Sequence, residues 1–261
     1  MSLRRAAFSA AEVIGVSTAI AVLFWVLNPR MLQPGMPPIV VAVGVLLGVY
    51  VIWLSPCWIH GDSLADRGLG SRDTLFVRTD NFWCAAGVFA PLSAVLACLL
   101  VLVGLLRNPS SFGEINWYRF LIKHGLYLVW AVVQSLFFFG FFMQRLTAIT
   151  AVALKSLSWG FDGLRCSVVL LTAGLFSVAH APNLLMMVLT FLAGILWGWH
   201  FWAQRNLLVL AASHAFLGTI IHQVLMLNMR VGPAYWEPHR FYANRVLFPF
   251  ISHWMGSPQY H

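Results

Sequence analysis

The stretch from Phe82 to Leu106 contains no charged residue, and it constrains the fold of this chain more than any other feature. An α-helix that crosses the hydrocarbon core of a bilayer, about 30 Å thick, requires roughly 20 predominantly apolar residues. This stretch meets the requirement without a single Asp, Glu, Lys or Arg. We therefore interpret it as a transmembrane helix and the chain as an integral membrane protein.

The rest of the chain supports this interpretation. Hydrophobic residues make up 60% of the sequence and charged residues only 9%, whereas a soluble domain has about 25% charged residues. The same length criterion predicts seven spans, approximately over residues 10–27, 39–54, 82–106, 120–146, 164–180, 184–203 and 207–227. The predicted fold class is an all-α, polytopic integral membrane helical bundle of about seven transmembrane helices.

Three regions are predicted along the chain. Residues 1–118 hold the N-terminal transmembrane helices and a polar loop over 56–81, which we expect to be exposed to water. Residues 119–227 hold a four-helix core. Residues 228–261 form an aromatic-rich tail that Pro233, Pro238 and Pro249 prevent from spanning a bilayer. We expect this tail to lie on the membrane surface or on a neighbouring protein.

The distribution of basic residues predicts an orientation. Arg4 and Arg5 precede the first span, and the side of the membrane that holds them carries more Lys and Arg than the other side. This favours a cytoplasmic N-terminus, in a bacterial inner (cytoplasmic) membrane. The net charge of +8 fits arginines at membrane ends. Because the chain has no basic domain, nucleic acid is not a predicted partner.

The cysteines predict neither a metal site nor a disulfide framework. Three of the four lie within predicted spans, Cys57 lies at a span end, and no Cys-x-x-Cys pair is present. We predict no bound metal and no cofactor.

The last three spans carry two histidines at suggestive positions. The segment TAGLFSVAHAPN, residues 172–183, places Phe176 four residues before His180. The next span carries Gly194 and Gly198 at the small-xxx-small spacing that lets helices approach closely in lipid, and His214 lies in the last span. Ionisable residues within a membrane are rare and are functional candidates by default.

The stretch VVQSLFFFGFFMQRL, residues 132–146, raises a separate question about Gln134. A buried amide without hydrogen-bond partners costs about 1 to 3 kcal/mol. Gln134 therefore either bridges two helices or belongs to a polar site. Tyr127, seven residues earlier, shares its helical stripe and is predicted to line the same inward face.

The order and spacing of these residues resemble the CAAX protease and bacteriocin-processing family (CPBP, or Abi) of intramembrane glutamic-type proteases. Members carry a Glu-Glu-x-x-x-Arg motif, then Phe-x-x-x-His, then His-x-x-x-Asn or Asp, on successive parts of a four-helix core. The resemblance covers about residues 125–220. It implies that a glutamate takes a proton from water while histidines polarise the peptide and hold the oxyanion. Phe176 and His180 match the second motif, and His214 begins the third.

The first motif of the family is degenerate in this chain. Aligning Gly140 with the glycine that commonly follows the family arginine places Gln134 and Ser135 at the two glutamates. Phe139 then stands at the arginine, and Gly218 stands at the final Asn or Asp. Glutamine cannot accept a proton, and none of the eight acids lies within the predicted spans that carry the motifs. Loss of a general base typically removes a factor of about 10² to 10⁴ in rate.

The predicted site therefore has two parts. The positions that match the catalytic residues are expected to be inactive, and they are His180, His214 and Gln134. The residues expected to line the site are Phe176, Ser135, Phe139, Gly218 and Tyr127.

Three functions stay open on the sequence. The preferred one is a catalytically impaired CPBP-like protein, a pseudoenzyme that acts as a binding or scaffold subunit of a membrane complex. Its expected partners are the lipid bilayer and other membrane protein subunits. One alternative is an intramembrane endopeptidase of the same family with an altered active site. The other is a cofactor- or pigment-binding membrane subunit, which is supported only by the many His and Trp residues.

Overall fold

The computed structural model of the chain describes residues 2–27, 38–70, 81–107, 115, 117–157, 161–225, 227, 229 and 231–232. Nearly all of the predicted tail over 228–261 lies outside these residues. The described part of the chain is helical and contains no strand.

Seven helices are present in this part of the chain. The N-terminal region contributes three: α1 (Leu3–Ala21, continued by π-helical turns over Val22–Leu27), α2 (Pro38–Val49, continued likewise over Tyr50–Ile59) and α3 (Phe82–Arg107). The four-helix core begins with α4, a continuous run of Trp117–Ser135, π-helical Leu136–Phe142 and α-helical Met143–Ala153. It is completed by α5 (Phe161–Val178), α6 (Leu184–Gln204) and α7 (Leu207–Gln223).

The predicted helical membrane bundle is confirmed. Each of the seven predicted spans falls on one of the seven helices. Among the described residues, four segments are long and apolar enough to cross a membrane: Ala42–Ile59, Phe82–Leu106, Phe120–Ala153 and Leu184–Gln204.

Small residues and phenylalanines build the centre of the core. A Cβ atom placed on Gly194 of α6 would lie 2.9 Å from the Cα of Ala173 of α5, so the two backbones approach as the glycine spacing predicts. In α4, the rings of Phe138 and Phe139 both pack against Phe176 of α5. This aromatic packing fixes α4 against α5.

A buried ion cluster attaches the N-terminal helices to the core. Arg145, in the last part of α4, is only 1% exposed. Its Nε lies 2.9 Å from Oε2 of Glu12 in α1, and its Nη1 lies 2.7 Å from Oδ2 of Asp62, which follows α2. Its Nη2 also donates a hydrogen bond to the hydroxyl of Ser55. Helices α1 and α2 thus meet α4 at a single guanidinium.

The Glu12 carboxylate is fully engaged in this cluster. Its Oε1 accepts hydrogen bonds from the hydroxyls of Tyr50 (2.8 Å) and Ser55. Its Oε2 contacts Nε2 of His60 at 2.7 Å in addition to Arg145. Because a carboxylate can only accept, the contacting nitrogen of His60 carries the proton. Each oxygen of Glu12 therefore has two partners, through three hydrogen-bond contacts and one ion pair with Arg145.

The charges of the cluster balance. Arg5 lies 3.1 Å from Asp62 and pairs with it at the surface end, where the Arg5 side chain is 46% exposed. Two guanidinium groups thus face two carboxylates. A buried charge is tolerated when it is paired and hydrogen-bonded, because the interaction offsets part of the desolvation cost.

The expectation of a water-exposed loop over 56–81 holds for only some of its described residues, because Trp58, Ile59 and Gly61 are exposed whereas residues 67–70 are not. Residues up to Ile59 are helical, and residues 67–70 are buried. Arg67 is 2% exposed and donates to the carbonyl of Ile52. Gly68, with a φ of 72°, accepts a hydrogen bond from the backbone N–H of Leu207. The segment is polar in sequence but finds its partners inside the protein, so it packs against the turn between α6 and α7.

Removing Arg145 should destabilise the fold strongly. Arg145→Met leaves Glu12 and Asp62 buried without their shared cation, and we expect a loss of about 3 to 5 kcal/mol in the free energy of unfolding. Arg5→Gln is the matched control, because a half-exposed ion pair contributes at most about 1 kcal/mol. Unfolding of the purified protein in mixed micelles measures both. An Arg145→Met variant as stable as Arg5→Gln would contradict the proposed role of the cluster.

The cluster should also make stability depend on pH. Burial, together with the Arg145 cation, lowers the pKa of His60 below its usual 6.5. As the pH falls below 6.5, the unfolded state therefore takes up a proton more readily than the folded state, and the free energy of unfolding decreases. We expect the thermal midpoint to fall more steeply between about pH 7 and pH 5 in the wild type than in His60→Gln. Parallel curves for the two proteins would contradict this.

Candidate functional site

Phe176 lies at the centre of the predicted site. Its ring centroid is 5.0 Å from that of His180 and 5.6 Å from that of His214. The ring of Phe138 approaches it at 4.8 Å. The structure thus brings the two predicted histidines to one aromatic side chain, although His180 follows α5 and His214 belongs to α7.

One ring nitrogen of His180 is held by the backbone. Its Nδ1 lies 2.7 Å from the backbone carbonyl of Phe176, and the residue is 7% exposed. A carbonyl accepts hydrogen bonds, so Nδ1 donates and carries the proton. In the neutral ring, Nε2 is then a hydrogen-bond acceptor.

His214 is enclosed by aromatic rings. The ring centroids of Trp197, Phe176 and Tyr127 lie 4.6, 5.6 and 5.8 Å from that of His214, which is 4% exposed. Its Nε2 lies 3.4 Å from the Tyr127 hydroxyl, and its Nδ1 has no hydrogen-bond partner in the described part of the chain. Three aromatic rings therefore pack around the imidazole.

Tyr127 also occupies the last position of the third motif. A Cβ atom placed on Gly218 would lie 2.3 Å from Cε1 of Tyr127. No side chain larger than hydrogen fits there unless the tyrosine moves. The Asn or Asp expected from the family motif is thus replaced by a glycine and the ring that packs on it.

The positions of the first motif carry no charge, and Ser135 and Phe139 are buried whereas Gln134 is half-buried. Oε1 of Gln134 and Oγ of Ser135 are enclosed and have no hydrogen-bond partner among the described residues. The helix-bridging hydrogen bond considered for Gln134 is therefore not made by this oxygen. Phe139 is 1% exposed and packs on Phe176 and Phe201, so an apolar contact replaces the arginine of the motif. Gln134 lies one turn before Phe138.

No carboxylate of the described residues pairs with His180 or His214. Glu12 and Asp62 contact Arg145, whereas Asp66 pairs with Arg205 at 3.4 Å. Within the same residues, no group of three or more His, Cys, Asp or Glu side chains is arranged to hold a metal ion. Four of the eight acids, Asp73, Asp80, Glu114 and Glu237, lie outside the described residues.

Sequence reasoning missed the cluster of Glu12, His60 and Arg145. Arg145 lies inside the predicted span over 120–146, and a guanidinium at that depth requires an acceptor. That signal was available from the sequence. The sequence did not show which residue is the acceptor, because Glu12 lies far from Arg145 along the chain and in another helix.

Residues 116–220 match the family model described as Type II CAAX prenyl endopeptidase Rce1-like. This part of the chain is thus similar to that family, and it is called the Rce1-like region below. The matched region runs from the start of α4 to just beyond Gly218 in α7, so it includes every predicted site residue. The resemblance drawn from the motifs is thereby confirmed for this region. No curated protein and no solved structure matches the chain.

The packing of Tyr127 on Gly218 gives a stability prediction. Gly218→Ala adds a methyl group 2.3 Å from the tyrosine ring, and overpacking of this kind costs about 1 to 3 kcal/mol. Gly87→Ala is the matched control, since an added Cβ there meets no atom within 4 Å. Thermal unfolding in detergent should show a lower midpoint for Gly218→Ala and no decrease for Gly87→Ala. Equal midpoints would show that the tyrosine does not fill this position.

Proposed function

We propose that this Rce1-like membrane protein is catalytically inactive and acts as a binding or scaffold subunit of a membrane complex. The observation that carries the proposal is the packing of Tyr127 on Gly218 beside His214. An aromatic ring lies where the family motif has a polar side chain. Gln134 and Ser135, at the positions of the paired glutamates, offer no group that can take a proton from water.

The surroundings of His214 also argue against hydrolysis. A tetrahedral intermediate requires hydrogen-bond donors about 2.7 to 3.1 Å from the oxyanion, in a space that the substrate can enter. Three rings enclose His214 instead. Among the described residues, the acidic side chains of Glu12 and Asp62 are buried, and both pair with Arg145. Among the described residues, no carboxylate lies at the site to act as a base, which supports the proposal of an inactive protein.

The binding role is supported by the sequence of the tail over 228–261, which falls almost wholly outside the described residues. It carries three arginines together with the aromatic residues Tyr235, Trp236, Phe241, Tyr242, Phe248, Phe250 and Trp254. Aromatic and arginine side chains are enriched both at protein interfaces and at lipid headgroups. A protein that no longer catalyses a reaction can use such a segment to bind a partner protein. We place the complex in the bacterial inner membrane, with the N-terminus in the cytoplasm.

An intramembrane endopeptidase with an altered site is the second candidate. It is favoured by the approach of His180 and His214 to the same Phe176 ring, with Nε2 of His180 available to accept a proton. This candidate needs a base other than a glutamate of the first motif.

Peptide hydrolysis separates the two candidates. We expect the purified protein in lipid nanodiscs to leave a panel of membrane-embedded peptides intact, as judged by mass spectrometry. His180→Ala is the control for each peptide. Cleavage by the wild type that disappears in His180→Ala would exclude the inactive protein and favour the second candidate.

Truncation after Met229 tests the binding role. We expect the full chain to retain membrane protein partners in a mild detergent and the truncated chain to lose them, because the aromatic tail supplies contacts. Equal membrane insertion of both forms is the required control. If the truncated chain keeps the same partners, or if neither form retains any, the tail is not an interface.

A further inference from the structure

An open cavity of about 270 Å³ lies between α1 and α2, away from Phe176 and outside the Rce1-like region. It is lined by Glu12, Gly15, Val16, Leu47 and Tyr50. We propose that this cavity binds a neutral amphipathic lipid whose head group carries a hydroxyl, such as a long-chain alcohol or a monoacylglycerol. The proposal does not depend on the proposed function.

The hydrogen bonds at the polar end of the cavity define what the head group must be. Glu12 already accepts from Tyr50 and Ser55 on one oxygen and contacts His60 and Arg145 with the other. Each of its two oxygens therefore already has two partners inside the protein. Tyr50 donates its proton to Glu12, and its phenolic oxygen keeps a lone pair. The head group should therefore donate a hydrogen bond to Tyr50.

The charges of the cluster exclude an ionic head group. A cation would compete with Arg145, which pairs with Glu12 at 2.9 Å. An anion would have to lie against the Glu12 carboxylate, which is itself a wall of the cavity. Either ion would disturb a set of buried charges that is already balanced, and buried ions are costly unless paired. A hydroxyl donates a hydrogen bond without adding charge.

The remaining walls fit an alkyl chain. Gly15, Val16 and Leu47 offer no polar side chain, and the segment Ala42–Ile59 that carries Leu47 and Tyr50 is apolar enough to cross a bilayer. The volume is close to the lower end of the range for ligand pockets, about 300 Å³. It suits a head group and the first part of a chain, with the rest of the chain extending into the bilayer.

Gly15 allows the cavity to be filled without touching the ion cluster. A Cβ atom on Gly15 meets no atom within 4 Å, so Gly15→Leu should place its side chain in open space and occupy the site. Gly44→Leu is the matched control, because Gly44 also has no atom within 4 Å of an added Cβ and does not line the cavity. Both variants add the same side chain to an apolar helix.

Photolabelling tests the proposal with the full chain in phosphatidylcholine nanodiscs. The probe is dodecan-1-ol with a diazirine in its chain, and the comparison probe is the corresponding methyl ether, which cannot donate a hydrogen bond. We expect the alcohol to label segments 12–16 and 47–50 in the wild type and in Gly44→Leu. Labelling should fall sharply in Gly15→Leu, and the ether should label about fivefold less, as expected for one lost hydrogen bond.

Three results would overturn the proposal. Equal labelling of these segments in the wild type and Gly15→Leu would show that the cavity is not the site. Equal labelling by the alcohol and the ether would show that the head group is not recognised. No labelling of either segment would show that the cavity does not bind the alcohol.

Discussion

The pairing of Arg145 with Glu12 is the interaction on which the arrangement of the helices depends. A guanidinium remains charged at any accessible pH, and Arg145 lies in the long apolar run of α4 with 1% exposure. It therefore requires anions within the protein. Glu12 of α1 and Asp62 after α2 supply them. The two N-terminal elements are thereby held against the Rce1-like region, and residues 67–70 are buried at the turn between α6 and α7.

The same interaction engages Glu12 and Asp62 with Arg145. Both acceptor oxygens of Glu12 are occupied by side chains of the protein. At the Rce1-like site, the acidic and basic positions of the first motif hold uncharged residues, and packing around Phe176 replaces polar contacts. Tyr127 and Gly218 fit each other as a pair, because the ring needs a position without a side chain. The buried ion pairs of Arg145 with Glu12 and Asp62 thus lie at the junction with the N-terminal helices and not at the positions of the family motifs.

Features that depend on neighbouring residues in the sequence could be predicted. Contacts between residues far apart along the chain could not. Apolar length alone located the seven helices, and the spacing of Phe176, His180 and His214 indicated the family. By contrast, the partner of Arg145 lies in another helix, and Asp62 lies in a segment whose charges suggested exposure to water. Charged residues indicate exposure to water only when no oppositely charged residue lies near them in the fold. A single sequence does not show which residues lie near each other in space. The contact of Tyr127 with Gly218 was likewise not predictable, although both residues had been assigned to the site.

The most direct test of this account is a double-mutant cycle on Glu12 and Arg145. The free energies of unfolding of the wild type, Glu12→Gln, Arg145→Gln and the double variant would be measured in the same mixed micelles. If Glu12 is held as the structural partner of Arg145, the double variant should lose less stability than the sum of the single variants, with a coupling energy of about 1 to 3 kcal/mol. Additivity within about 0.5 kcal/mol would contradict the account, because it would mean that Glu12 does not hold Arg145 and remains free for another role.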